Sequence, residues 1–118
     1  MSTHEMLNYV EFPSNNLHKS KAFFEHVFAW SFTDYGPQYS AFSGAGMDGG
    51  MYDSSKPISS AENGALLVFY SKDIHATQAK IIKAGGEVTR AIFDFPGGCR
   101  FHFKEPGGNE FAVWSEHQ

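Results

Sequence analysis

The sequence predicts an α+β fold in which a βαβββ unit occurs twice in tandem. Three observations support this prediction: both halves show the same order of strand and helix patterns, an offset of 57 residues aligns their helix caps, and one linker-like stretch separates them. The offset places Asn16-Leu17-His18 on Asp73-Ile74-His75. The alternative is a pair of unrelated βα units, which would not superpose on each other.

The first half begins with a strand pattern over residues 6–12. A turn cluster follows, and it ends at Asn16, a residue that caps helices well because its side chain accepts a backbone N–H. Large apolar residues then recur at helical spacing and predict a helix over 17–28. Alternating or short apolar runs predict the remaining strands, at 30–35, at 39–42 and near 51–52.

The second half repeats this pattern after a Ser-rich linker at 53–63. Asp73 is a second N-cap, and Gly85-Gly86 ends the predicted helix. The elements predicted here are strands at 65–70, 87–95, 100–103 and 110–114, and a helix at 74–84. We therefore interpret residues 1–118 as a single domain, with module one at about 6–52 and module two at about 64–115.

Composition restricts the possible partners and location. The net charge is −4 and no Lys/Arg run occurs, which argues against nucleic acid and anionic membranes. Aromatic residues reach 16%, so large rings must line a core or a ligand cavity. The single Cys99 has no disulfide partner, and no signal peptide or membrane-length apolar run is visible. We expect a cytoplasmic protein with a small-molecule ligand.

Several motifs, in order, carry a family resemblance: Tyr9-Val10-Glu11-Phe12-Pro13, then Ser20-Lys21-Ala22-Phe23-Phe24-Glu25, then the Glu105-Pro106-Gly107-Gly108-Asn109 hairpin. Over about 6–115 the chain resembles the vicinal oxygen chelate superfamily (glyoxalase/bleomycin-resistance/dioxygenase), in the glyoxalase-like subgroup related to lactoylglutathione lyase. The resemblance implies that the modules form a cupped eight-stranded mixed sheet with the helices outside. It also implies a ligand in the cup and a homodimer, which would cover exposed sheet edges.

Metal-using members of this superfamily carry one His, Gln or Glu on each of four strands. By resemblance, these positions fall on Tyr9, Leu67, Ala112 and residues 50–52. Leucine and alanine cannot coordinate a metal, and tyrosine is a poor ligand for the divalent metals that prefer imidazole and carboxylate. We therefore expect no metal and no cofactor.

Glu11 is the candidate catalytic residue. It lies two residues after Tyr9, so the period of a strand puts both on one face, and the resemblance turns that face into the cup. A carboxyl group there would suit general acid–base work. The alternative is a structural role, with Glu11 paired to a neighbouring strand or to Arg100.

The candidate binding residues are mostly aromatic. For the apolar ones, the alternative role is packing in the core or at a dimer interface. His102 shares a strand face with Arg100 and Lys104, and the alternative for it is a position that faces solvent. The full set is Tyr9, Trp30, Tyr39, Leu67, Phe69, Arg100, His102 and Trp114.

Three functions remain open at this point. The first is a metal-independent lyase, isomerase or epimerase that uses Glu11 as its acid or base. The second is a non-catalytic binding protein, as in drug-sequestering resistance proteins, whose aromatic walls would suit an aromatic or cationic guest. The third is a metal enzyme with glyoxalase or dioxygenase chemistry, against which the missing ligands argue.

Overall fold

The computed structural model describes residues 2–59 and 62–117, so positions 60 and 61 of the predicted linker lie outside the described residues. None of the helices in these two ranges is long and apolar enough to cross a membrane. The elements, in chain order, are β1 (Tyr9–Ser14), α1 (Leu17–Phe28), β2 (Ser31–Asp34), β3 (Tyr39–Ser43), β4 (Asp48–Asp53), β5 (Leu67–Tyr70), α2 (Ile74–Lys83), β6 (Glu87–Phe95), β7 (Gly98–Lys104) and β8 (Glu110–Ser115).

The eight strands form two mixed four-stranded sheets, with the orders β1-β4-β3-β2 and β5-β8-β7-β6. In each module the first strand pairs in parallel with the last, β1 with β4 and β5 with β8. The predicted α+β class and the tandem βαβββ order are confirmed. Within the described ranges, β1 and β5 each have one strand neighbour, so both are edge strands.

The helix caps show the internal repeat in atomic detail. The Asn16 side chain accepts the Lys19 N–H, and Ser14 Oγ lies 2.7 Å from Ser20 Oγ. The second module repeats both contacts at the predicted offset, where Asp73 caps Ala76 and Ser71 Oγ lies 2.7 Å from Thr77 Oγ1. The same local chemistry therefore starts both helices.

An aromatic core on the helix side of the two sheets joins the modules. Phe24 of α1 is fully buried, and its ring centroid lies 6.0 Å from that of Phe12 in β1 and 5.5 Å from that of Phe111 in β8. Phe12 and Phe111 also contact each other, at 5.3 Å. Burying one such side chain stabilises a fold by about 1.5–3 kcal/mol, so these contacts bind the two modules into one core.

A buried polar network fastens the turn between β7 and β8 to the first module. We call this network the latch, and it consists of Ser14, Ser20, Glu105 and Asn109. The Glu105 carboxylate accepts hydrogen bonds from Ser20 Oγ at 2.8 Å and from the Asn109 side-chain amide at 2.7 Å. The Gly107 N–H donates to the same carboxylate at 2.6 Å. A buried carboxylate needs such donors because it has lost its water.

Asn109 ties the latch to two further segments. Its amide nitrogen donates to the Pro13 carbonyl at 2.5 Å, and its side-chain oxygen accepts the Ile58 N–H at 2.8 Å. Burial raises the pKa of the Glu105 carboxyl group, and the hydrogen bonds from Gly107, Ser20 and Asn109 oppose that shift. The latch therefore holds β1, the linker and the last hairpin together.

Candidate functional site

A groove of about 500 Å³ opens between the edge strands β1 and β5. Its lining is dominated by apolar side chains, and more than half of the lining residues carry an aromatic ring. These aromatic residues are Tyr9, Phe12, Trp30, Phe42, Phe69, Tyr70 and Phe111. A groove of this composition suits an apolar, ring-containing molecule.

Four of the predicted binding residues line this groove: Tyr9, Trp30, Leu67 and Phe69. Trp30 is also packed in the core, where it stacks between Phe24 at 4.2 Å and Phe42 at 4.3 Å. Phe69 likewise stacks on the ring of Phe28 at 4.0 Å. Core packing and groove lining therefore do not exclude each other, because the groove floor is the outer layer of the core.

Leu67 reaches the groove from a different side than the sequence suggested. The sequence placed it with Tyr9 as a cup-facing position, yet Leu67 pairs with Phe111, which is buried on the helix side. The 57-residue offset agrees with this placement, because it matches Leu67 with Val10. The predicted position was therefore one residue off. Because side chains alternate between the two faces of a strand, an error of one residue places the side chain on the opposite face.

The face of the first sheet opposite the helices carries a chain of three hydrogen-bonding side chains. The Tyr39 hydroxyl donates to Glu11 Oε2 at 2.8 Å, and Tyr9 Oη lies 2.6 Å from Tyr39 Oη. Because the Tyr39 proton is directed at Glu11, Tyr9 is the donor to Tyr39. Tyr9 and Glu11 share one face, as strand parity predicts, and both are exposed. The three residues thus link the groove rim to a carboxylate.

Gly50 makes room for this chain. A Cβ atom at this position would lie 2.0 Å from Tyr39 Oη, so a side chain here would displace the Tyr39 ring. Burial raises the pKa of Tyr39 well above its ordinary value, and its hydrogen bonds to Tyr9 and Glu11 add to that shift. Tyr39 therefore stays protonated at neutral pH and keeps donating to Glu11.

The structural alternative for Glu11, an ion pair with Arg100, is not seen. Arg100 lies on β7 of the second sheet, whereas Glu11 lies on β1 of the first sheet. No ion pair joins them in the described part of the chain. The partner of Glu11 is Tyr39 instead.

His102 is partly buried, with 12% of its side chain exposed, so the solvent-facing alternative for this residue is wrong. Arg100 Nη2 lies 3.1 Å from His102 Nε2, and His102 Nδ1 lies 3.7 Å from Glu110 Oε2. Burial lowers the pKa of His102, the charge of Arg100 lowers it further, and Glu110 opposes both. A neutral ring with its proton on Nδ1 accepts from Arg100 and faces Glu110.

Arg100 carries an unsatisfied donor. Its Nε atom is buried and has no hydrogen-bond partner among residues 2–59 and 62–117. Leaving a buried donor unpaired costs about 1–3 kcal/mol, and more for a charged group. Trp114, the last predicted binding residue, lies opposite Arg100 on β8 and packs against Tyr70 at 5.1 Å.

The metal that the resemblance implies does not fit the residues present. Leu67 and Ala112 offer no donor atom, and residues 50–52 offer no imidazole or carboxylate. In the two described ranges, no three His, Cys, Asp or Glu side chains are grouped so that they could hold a metal ion. The available donor set therefore supports no step through a metal.

Several residues of these surfaces were not singled out from the sequence. Val68 and Tyr70 line the groove, and Glu110 faces His102. A continuous apolar run at 65–70 predicts a buried strand, but it does not show which edge of that strand is left unpaired beside the groove. Glu110 lies opposite Lys104 in the β7–β8 pairing. That register depends on the turn between the two strands, so the sequence pattern alone did not place Glu110 beside His102.

Comparisons with known proteins agree with this architecture. A family model described as Glyoxalase/Bleomycin resistance protein/Dioxygenase superfamily matches residues 6–113. No curated protein matches the chain. Among solved structures, the chain is similar to the genomically encoded fosfomycin resistance protein FosX from Listeria monocytogenes, with 15% identity, 96% of this chain and 94% of that chain covered, and a TM-score of 0.77.

Two other solved structures are similar over nearly their full length. Lactoylglutathione lyase from Agrobacterium tumefaciens is 18% identical, with coverage of 97% and 96% of the two chains and a TM-score of 0.69. A glyoxalase/bleomycin resistance protein from Albidiferax ferrireducens T118 is 18% identical, with coverage of 95% and 99% and a TM-score of 0.70. At these identities the likeness shows the fold.

Proposed function

The chain belongs to the Glyoxalase/Bleomycin resistance protein/Dioxygenase superfamily, and on this premise we propose that it binds an apolar, aromatic small molecule in the groove between β1 and β5. The observation that carries the proposal is the lining, which combines seven aromatic residues with a volume of about 500 Å³. Pockets of roughly 300–1,000 Å³ with apolar walls hold drug-sized ligands. The fosfomycin resistance protein and the lyase among the similar structures are compatible with a small-molecule ligand here.

Replacing Val68 with glutamine should weaken this binding about tenfold. Val68 lines the groove and is 44% exposed, so the change removes apolar lining without opening the core. Adding a polar amide where a ring should lie costs on the order of 1–2 kcal/mol. Isothermal titration calorimetry with the neutral probe biphenyl-4-methanol measures the effect.

The matched control is Ile82→Gln. Ile82 lies on α2, is 52% exposed and does not line the groove. Its variant should bind the probe as the unmodified protein does. Equal losses in both variants, or no binding by the unmodified protein, would contradict the groove as the binding site.

A second candidate function is a metal-independent enzyme of the lyase or isomerase type. The observation that favours it is the chain from Tyr9 through Tyr39 to Glu11, because it can carry a proton between a groove ligand and a carboxylate. In this scheme Glu11 is the acid or base, and Tyr9 touches the ligand. General acid–base catalysis needs hydrogen-bonded contact along the path of the proton, and here that path passes through two hydroxyl groups, those of Tyr9 and Tyr39, before it reaches Glu11.

We further propose that the protein is a homodimer. The support is the pair of edge strands β1 and β5, which are flanked by the exposed apolar side chains of Leu7, Val68 and Tyr70. Unpaired edges with apolar neighbours are usually covered. A second copy across them would close the groove from outside. Sedimentation velocity at micromolar concentration should give a dimer, and a monomer there would count against the proposal.

The compartment that we propose is the cytoplasm. Cys99 is a buried free thiol, and unpaired thiols are typical of reducing compartments.

A further inference from the structure

Arg100 is a half-buried cation to which the described residues offer no carboxylate partner. It lies on β7, on the face of the second sheet that points away from the helices, and no ion pair of the described residues includes it. One of its N–H groups meets His102 Nε2 at 3.1 Å, and its Nε has no acceptor. Buried charges in proteins are normally paired, so this guanidinium has donors to spare for an anion.

The surroundings of Arg100 add positive charge. Arg90 on β6 lies directly opposite His102, and its guanidinium stacks on the Phe93 ring at 3.8 Å. None of the ion pairs among residues 2–59 and 62–117 includes Arg90. Glu110 faces the far nitrogen of His102, at 3.7 Å from Nδ1. The side of His102 that carries Arg100 is therefore cationic.

An aromatic surface leads from this cation to the groove. Arg100 pairs with Trp114 on β8, and Trp114 pairs with Tyr70 on β5, which lines the groove. The Trp114 ring packs against Tyr70 at 5.1 Å and against Phe95 at 6.4 Å. Neighbouring strands lie about 4.8 Å apart, so Arg100 stands roughly 10 Å from the groove wall, which is the length of two linked rings.

We propose that Arg100 binds the carboxylate of an aromatic acid whose rings lie along Trp114 and reach Tyr70 at the groove wall. This inference rests on the proposed function, because it assigns the substrate class of the groove. Arginine suits this role, since its planar fork matches a carboxylate and its face stacks on aromatic rings. His102 is a positioning residue that holds the guanidinium from the side opposite the ligand.

The experiment compares biphenyl-4-carboxylate with biphenyl-4-methanol, which has the same rings and no charge. The unmodified protein should bind the carboxylate at least about tenfold more tightly in calorimetric titrations. Arg100→Met should remove this preference and leave the affinity for the alcohol unchanged. Lys104→Met is the matched control, because Lys104 is a cation on the same strand and the same face, and its loss should leave the preference intact.

Two further measurements keep the test decisive if Arg100→Met folds poorly. Arg100→Lys keeps the charge without the fork and should give an intermediate preference. In ¹⁵N-labelled unmodified protein, the Nε–H resonance of Arg100 should shift with the carboxylate and not with the alcohol. Equal affinities for the two probes, or equal losses in the Arg100 and Lys104 variants, would overturn the inference and leave the groove standing. Failure of both probes to bind would instead remove the proposed function.

Discussion

Replacing Asn109 with alanine should lower the free energy of unfolding by about 3 kcal/mol or more. Asn109 is fully buried and makes side-chain hydrogen bonds to Glu105, Pro13 and Ile58. In the alanine variant, the Pro13 carbonyl, the Ile58 N–H and the Glu105 carboxylate each lose their hydrogen bond to the Asn109 side chain. Each stranded group costs about 1–3 kcal/mol, and a less satisfied buried charge costs more. Urea denaturation followed by circular dichroism measures the loss.

The size of this loss should depend on pH, because Glu105 is the charged member of the latch. Burial already raises the pKa of its carboxyl group, and removing the side-chain amide donor of Asn109 raises that pKa further. A raised pKa in the folded state means that stability is complete below the unfolded-state pKa and is lost as the pH rises through the folded-state pKa. The variant should therefore be less impaired at about pH 4 than at about pH 8.

Asn8→Ala is the control for this experiment. Asn8 is exposed, and the one hydrogen bond that its amide makes within the described ranges is to Ser2 at 3.3 Å. Its loss should therefore change stability by less than about 0.5 kcal/mol. If the two alanine variants proved equally stable, the latch would contribute nothing to holding the modules together.

Under the enzyme proposal, Glu11→Gln should greatly slow proton transfer with little effect on stability. Removing a positioned acid or base slows a reaction about 10²- to 10⁴-fold. Glu11 is exposed and its hydrogen-bond partner is Tyr39, so a neutral amide of the same shape should change the free energy of unfolding by no more than about 1 kcal/mol. The readout is deuterium exchange at the methyl group of 4-acetylbiphenyl in D₂O, followed by proton NMR.

Two companion variants identify the route of the proton. Tyr39→Phe breaks the relay but keeps the carboxylate, so it should also slow the exchange. Glu25→Gln removes an exposed acid on α1 and should leave it unchanged. If the protein exchanges the probe and Glu11→Gln keeps the full rate, Glu11 is not the base. If no exchange above buffer occurs, the binding function is the one that stands.

The sequence was sufficient for the fold because its strongest signals are local and repeated. Asn16 and Asp73 both cap the helices that they were expected to start. Gly85-Gly86 follows the end of α2 as predicted. These signals depend on backbone groups a few residues away, which a linear pattern records directly.

The candidate site was predictable only in part, because it depends on which strand edges meet. Parity placed Tyr9 and Glu11 on one face, but the link between them runs through Tyr39, which comes from another strand. A slip of one residue put Leu67 on the face of Tyr9 instead of that of Val10. His102 is partly buried because Arg100 and Glu110 lie against it. Glu110 comes from β8, and the register in which β8 pairs with β7 brings it there.

The latch has a consequence for how the protein is made. Ser14 and Ser20 lie near the start of the chain, but their acceptor Glu105 follows Ser20 by 85 residues. A ribosome that adds about 5–20 residues per second needs roughly 4–17 s to bridge that interval. During this time the Ser14–Ser20 pair lacks its carboxylate acceptor, whereas none of the described residues supplies such a late acceptor to the equivalent Ser71–Thr77 pair of the second module. The first module is therefore synthesised first, but its buried hydrogen-bond network is complete only after the last hairpin has been made.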